Sequence, residues 1–167
     1  IGAAAKSALE ARGAKVIGQA TTSDRTDTVP ADFSEPFAAR ELWDAALARA
    51  GGTIDVLVNN AGRFAASPLD ASDMQWLDAW EDTLRINLTA AAQLSRFAVR
   101  HWQERGVPGR IVHVASRAGH RGDSPAHWHY AASKGGMLAM HKSIARAYAS
   151  ENILSFAITP GFTATAM

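Results

Sequence analysis

Tyr130 and Lys134 stand four residues apart in HYAASKGG, at 129–136. On a helix that spacing projects both side chains from one face, about one turn apart. An ammonium held near a phenol favours the phenolate and draws its pKa down from about 10. A tyrosine tuned in this way can act as a general acid or base near neutral pH. The competing reading is a surface tyrosine with an incidental lysine, and the pair alone does not decide.

Other polar residues fall where a reaction would need them. Ser116 closes GRIVHVAS (109–116), just past the C-terminal end of an apolar run, where open α/β sheets place their ligands. Its hydroxyl could bond a substrate oxygen, or merely end a strand. Asn59, Asn60, Ala61 and Gly62 close IDVLVNNAG (54–62). Small side chains and amides let a flat ligand approach the backbone there, and they equally suit an ordinary turn. Asn87 lies inside the apolar stretch LRINLTAAAQL (84–94). A buried amide needs a partner, which a bound water, a kinked backbone or a neighbouring core group would supply.

The elements that must position these residues alternate. Short apolar, β-branched runs at 14–18, 54–58, 110–114 and 152–158, with a weaker one at TVPA (28–31), read as strands. Helical patterns occupy 3–12, about 36–50, 74–104 (broken or continuous) and 130–149. Near-continuous apolar strands separated by helices predict a parallel sheet covered on both faces. With right-handed crossovers this is an α/β, doubly wound, Rossmann-like sheet of three layers, and the whole of 1–167 reads as one domain. Helix 3–12 would present Ala3, Ala4, Ala8, Leu9 and Ala11 near one face and stop at Gly13. The stretch QATTSDRTDTVP (19–30) has no apolar period and reads as a direct loop.

Composition excludes several classes. A net charge of +1 with the two signs interspersed offers no basic stripe, so a nucleic-acid partner is not expected. Cysteine is absent, which removes disulfide and thiolate chemistry and is compatible with a cytoplasmic location. No apolar run approaches the length of a membrane span. His127 and His129 form a His-x-His pair without an acidic or cysteine partner at ligand spacing, so no metal site is expected.

Taken together, the residues resemble the short-chain dehydrogenase/reductase family. The pieces occur in that family's order and at about its spacing: IG (1–2), Asp32 in ADFSEP, NNAG (59–62), Asn87 in INL, Ser116, YAASK (130–134) and PGFTAT (160–165). The resemblance implies that Tyr130 moves the proton to or from the substrate oxygen. Lys134 would assist it and hold the nicotinamide ribose, Ser116 would polarise the carbonyl, and Asn87 would hold a water of a proton relay. Asp32 and Phe33 would bracket the adenine, and Asn59 would line the adenosine side. Ile1, Ala61, Gly62, Pro160 and Gly161 would border the cofactor, and Thr163 and Thr165 would meet its carboxamide.

The cofactor implied is NADP or NAD. An acidic residue at the end of the second strand would favour NAD. That position falls at about Ala20, and Thr21, Thr22, Ser23 and Arg25 follow, so the expectation leans to NADP. Asp24 bending back to the ribose would reverse it. The segment 117–130 should wall the site of a small carbonyl or alcohol substrate, with His120, His127, Trp128 and His129 on it. The family's oligomers lead us to expect a homotetramer, with a homodimer next, through the Ala-rich helices at 74–104 and 130–149. An inactive nucleotide-binding sensor or scaffold is the alternative. The family's first strand, the first two glycines of its phosphate turn and its C-terminal lid find no match here. The sequence therefore reads as part of a longer enzyme.

Overall fold

The computed structural model describes residues 1–22 and 27–163, and the chain divides into two compact units, Ile1–Asp55 and the residues from Val56 onward. In the first unit, helix α1 (Gly2–Glu10) precedes strand β1 (Gly18–Ala20), strand β2 (Thr28–Pro30) and helix α2 (Ala38–Ala50). The two strands are parallel, with Gly18 opposite Thr28 and Ala20 opposite Pro30. Val29, Phe33, Ala39, Leu42 and Trp43 form the buried apolar side of this unit.

Two expectations change here. The strand predicted over 14–18 begins at Gly18 and runs into the segment predicted to be a loop. The three-residue pairing of Gly18–Ala20 with Thr28–Pro30 recruits Gln19 and Ala20, whose polar and small side chains hid it from a periodicity argument. The face of α1 carrying Leu9 is not buried.

The second unit holds strand β3 (Val56–Asn59), helix α3 (Asp73–Leu84), a π turn (Arg85–Thr89), helix α4 (Ala90–Arg105), strand β4 (Gly109–Val114), the short helix α5 (Ala118–Arg121), helix α6 (Trp128–Tyr148) and strand β5 (Ile153–Ile158). The strands form a parallel sheet in the order β3-β4-β5, with Asn59 opposite His113 and His113 opposite Ala157. Helix α4 packs on β3 and β4, and α6 packs on β5. Because side chains alternate along a strand, Asn59, Ile111, His113, Ile153 and Ser155 share one face, and all five are buried. Val58 and Phe156 on the other face stay exposed.

Local chemistry sets the ends. Ser72 and Gln75 make a reciprocal capping box at the start of α3. Gly106 ends α4 in the left-handed conformation. Gly109 opens β4 directly beneath the indole of Trp102, where a Cβ would lie 2.0 Å from the ring. The fold is therefore α/β with parallel, Rossmann-like sheets and flanking helices. It contains two sheets where the sequence pattern suggested one.

Candidate active site

Of the two readings left open for 74–104, the broken one holds: a π turn interrupts it at Arg85–Thr89, and Asn87 is at its centre. Asn87 is fully buried, and both ends of its amide are hydrogen-bonded. Oδ1 accepts the Arg63 backbone N–H at 2.7 Å. Nδ2 donates to the Arg63 carbonyl at 3.0 Å and to Ser133 Oγ at 3.1 Å. The Ser133 hydroxyl donates in turn to the Tyr130 carbonyl at 2.7 Å. One amide thus ties the loop after β3 to the first turn of α6. Of the readings left open for this residue, the structure shows the satisfied core amide, with the Arg63 backbone and Ser133 as its partners.

Lys134 is four residues along α6 from Tyr130 and only 4% exposed. Its Nζ donates to the Val114 carbonyl at 2.9 Å and lies 5.8 Å from the centroid of the Tyr130 ring. No carboxylate pairs with it among the described residues, and burial pushes its pKa down to about 8. An ammonium has three donors, and one is used here. Val114 is the last residue of β4, so the same bond fastens α6 to the strand end that carries Ser116. Ser116 Oγ accepts the Ala118 N–H at 3.1 Å, which starts the turn of α5.

Two glycines bring the backbone close. A Cβ on Gly62 would lie 3.4 Å from Lys134 Nζ and 3.5 Å from Asn87 Oδ1. Both polar atoms therefore border the same small space above the loop. A Cβ on Gly119 would lie 2.8 Å from the Lys134 carbonyl, so α5 sits directly against the backbone of α6. The wall beside Tyr130 is aromatic. Phe64 stacks on His127 at 4.0 Å between centroids and meets the Tyr130 ring edge-on at 4.8 Å. His127 Nδ1 shares a hydrogen bond with Ser124 Oγ at 2.7 Å, and His129 Nε2 shares one with the Ala65 carbonyl at 3.0 Å. Burial lowers the pKa of His129. The two histidines hold separate partners, and no group of three or more metal-ligating side chains occurs among the described residues.

The remaining sequence-predicted residues are placed as follows. The Asn59 amide turns into the core, where Nδ2 donates to Ser95 Oγ at 3.0 Å. Asn60, Ala61 and Gly62 continue past the end of β3. Pro160 and Gly161 follow β5, and Thr163 is exposed. Thr165, Ser23, Asp24 and Arg25 lie outside the described residues. In the first unit, Ile1 is the N-cap of α1 with no side-chain cap, so the helix start keeps its free amides. Asp32 accepts both the N–H and the hydroxyl of Ser34, which lowers its pKa, and Phe33 is buried. Sequence reasoning missed Arg63, Ser133, Phe64 and Gly119. Only Ser133, a hydroxyl inside a helix between Tyr130 and Lys134, carried a signal in its spacing.

The C-terminal ends of three adjacent parallel strands thus carry Asn59–Gly62, Ser116 and Pro160, the edge at which open α/β sheets bind ligands. A buried ammonium with two unused donors beside a glycine-lined space suits the vicinal hydroxyls of a ribose, so the residues fit a nicotinamide dinucleotide. The family model for short chain dehydrogenases matches residues 2–167. Nodulation protein G of Rhizobium sp. (strain N33) is 36% identical over 149 residues, covering 89% of this chain and 58% of that protein. The 3-oxoacyl-(acyl-carrier-protein) reductase FabG of Salmonella typhimurium is 32% identical, covering all of this chain and 70% of that protein. A solved 4-hydroxyisoleucine dehydrogenase complexed with NADH superposes with a TM-score of 0.84 at 27% identity, covering 96% of this chain and 70% of that one.

Proposed function

We propose, from the premise that this chain belongs to the short-chain dehydrogenase family, that it is the nucleotide-binding and catalytic part of an NAD(P)-dependent oxidoreductase interconverting a ketone and a secondary alcohol. The observation that carries the reading is the linked set Asn87–Ser133–Tyr130–Lys134 at the strand ends. The family model running through both units supports one catalytic domain over 1–167. The nicotinamide, when bound, supplies or accepts the hydride.

The chain's own residues do the rest. Ser116 donates to the substrate oxygen and orients the carbonyl. Tyr130 delivers its hydroxyl proton to that oxygen during reduction and recovers it during oxidation. Lys134 supplies positive charge near the ring, and its two remaining N–H groups would hold the ribose hydroxyls. Asn87 Oδ1 and Lys134 Nζ border the same space above Gly62, which supports a water between them that returns the proton from solvent. Ile1 and the uncapped start of α1 suit a phosphate. Within the second unit, Ala61, Gly62, Pro160, Gly161 and Thr163 would border the nicotinamide half.

NADP is preferred in this reading. Strand β1 ends at Ala20 with the exposed hydroxyl residues Thr21 and Thr22 next, where an NAD-preferring site would place a carboxylate. A homotetramer, or a homodimer, would use α3, α4 and α6, and a cytoplasmic location suits the cysteine-free composition. No helix among the described residues is long and apolar enough to cross a membrane.

The test is Tyr130→Phe in the whole protein. Turnover of ketones with NADPH should fall by roughly 10²–10⁴-fold while NADPH still binds. Undiminished turnover overturns the mechanism. Cofactor binding without turnover of any carbonyl compound by the unmodified protein favours the inactive sensor.

A further inference from the structure

We propose that Arg117 is the anion-binding residue of the substrate site, so that the substrate carries a carboxylate away from its reacting carbon. This rests on the reductase reading above and adds the substrate class to it.

Arg117 directly follows Ser116. Its backbone N–H donates to the Pro160 carbonyl at 3.3 Å, joining the turn after β4 to the segment after β5. The side chain runs the same way. Its Cζ lies 4.1 Å from the centroid of the Phe162 ring, and its Nη1 and Cδ come within 4.0 Å of the position a Cβ would take on Gly161. The guanidinium therefore lies at the strand edge that carries Ser116.

A ring contact of this kind takes up no N–H donor. Among the described residues no carboxylate lies within ion-pair distance of Arg117, and no oxygen accepts from its side chain. Arg63, the other arginine of this edge, is already paired with Asp82 at 3.0 Å. Arg117 is half-buried, and its five donors stand in a planar fork that matches a carboxylate. Phe162, 91% exposed, lies against one face of that fork and leaves its edge donors open.

A second cation, Arg121, follows in the same turn, and Asp123 is the only carboxylate in 117–130. Asp123 is engaged by the Ser124 N–H at 2.8 Å.

The test compares oxo acids of increasing chain length with their methyl esters on the whole protein with NADPH. The unmodified protein should favour the best acid over its ester by roughly 10–100-fold in kcat/KM, the range of a charge-assisted hydrogen bond. Arg117→Met should bring that ratio to near one, and Arg117→Lys should leave it between the two. A ratio near one in the unmodified protein, or an unchanged ratio in Arg117→Met, overturns the proposal. If neither acid nor ester is turned over, the reductase reading fails separately. Calorimetric binding of the same pairs then decides the anion site: acid-selective binding lost in Arg117→Met supports it, and equal binding of acid and ester overturns it.

Discussion

Asn87 and Arg63 close a ring of two hydrogen bonds, amide oxygen to backbone N–H at 2.7 Å and backbone carbonyl to amide nitrogen at 3.0 Å. Through it the loop after β3 is held to the π turn. Asn87→Ala leaves both Arg63 backbone groups and one Ser133 contact without their partner in the interior. Urea unfolding should show a loss of about 1–3 kcal/mol, accompanied by weaker cofactor binding. Loss of activity at full stability would assign Asn87 a purely chemical role.

Lys134 carries a pH signature. Its folded pKa is lowered to about 8 by burial, below the ordinary 10.5. Between those values the unfolded chain binds the extra proton, so stability rises with pH across about 8 to 10.5. Lys134→Met should lose turnover yet unfold at a higher temperature at pH 7, by roughly 1–3 kcal/mol, with the difference vanishing above pH 10.5. Thermal melts at pH 7 and pH 11 check both halves.

His113 acts at the other end of the scale. It is fully buried beside Asn59 Nδ2, with no partner for Nε2 among the described residues, and burial, aided by His141 and Lys134, lowers its pKa to about 4. The unfolded chain then binds the extra proton between about pH 6.5 and 4, so stability falls as pH drops through that window. His113→Gln should remove roughly 2–3 kcal/mol of that acid sensitivity. Denaturant titrations at pH 7 and pH 4.5 should show the variant's slope flattened.

Two glycines close in sequence should behave differently. Gly109→Ala drives a methyl into the fully buried Trp102 ring and should cost about 3 kcal/mol. At Gly106 the space is open but φ is +62°, so Gly106→Ala should cost about 1 kcal/mol from the left-handed backbone alone. Equal losses in thermal melts would mean that the Trp102 contact is softer than its geometry.

Much of this was legible from residue pattern because the signals were local. The strands at 109–114 and 153–158 were anticipated from β-branched runs to within a residue or so. The Tyr130–Lys134 pair was anticipated from helical spacing. The strand at Gly18–Ala20 was displaced because its pairing with Thr28–Pro30, and not its own side chains, decides where it starts. Arg63 and Gly119 were invisible for a related reason. One contributes only backbone groups to Asn87 and the other only the absence of a Cβ, and neither leaves a mark in a hydrophobic period.

The π turn at Arg85–Thr89 sets local regularity against function. A π turn amounts to one residue inserted into a helix, which advances everything after it by about 100°. Deleting a residue there would restore an unbroken hydrogen-bond ladder and a better helix by every local measure. It would also swing Ser95 and Trp102 away from Asn59 and Gly109 on the sheet, and carry Asn87 away from Arg63. Any procedure that optimises this segment as a helix, whether in the laboratory or by consensus design, would erase the anchor of the site first. Insertions and deletions between 84 and 90 should therefore be far less tolerated than substitutions at the same positions.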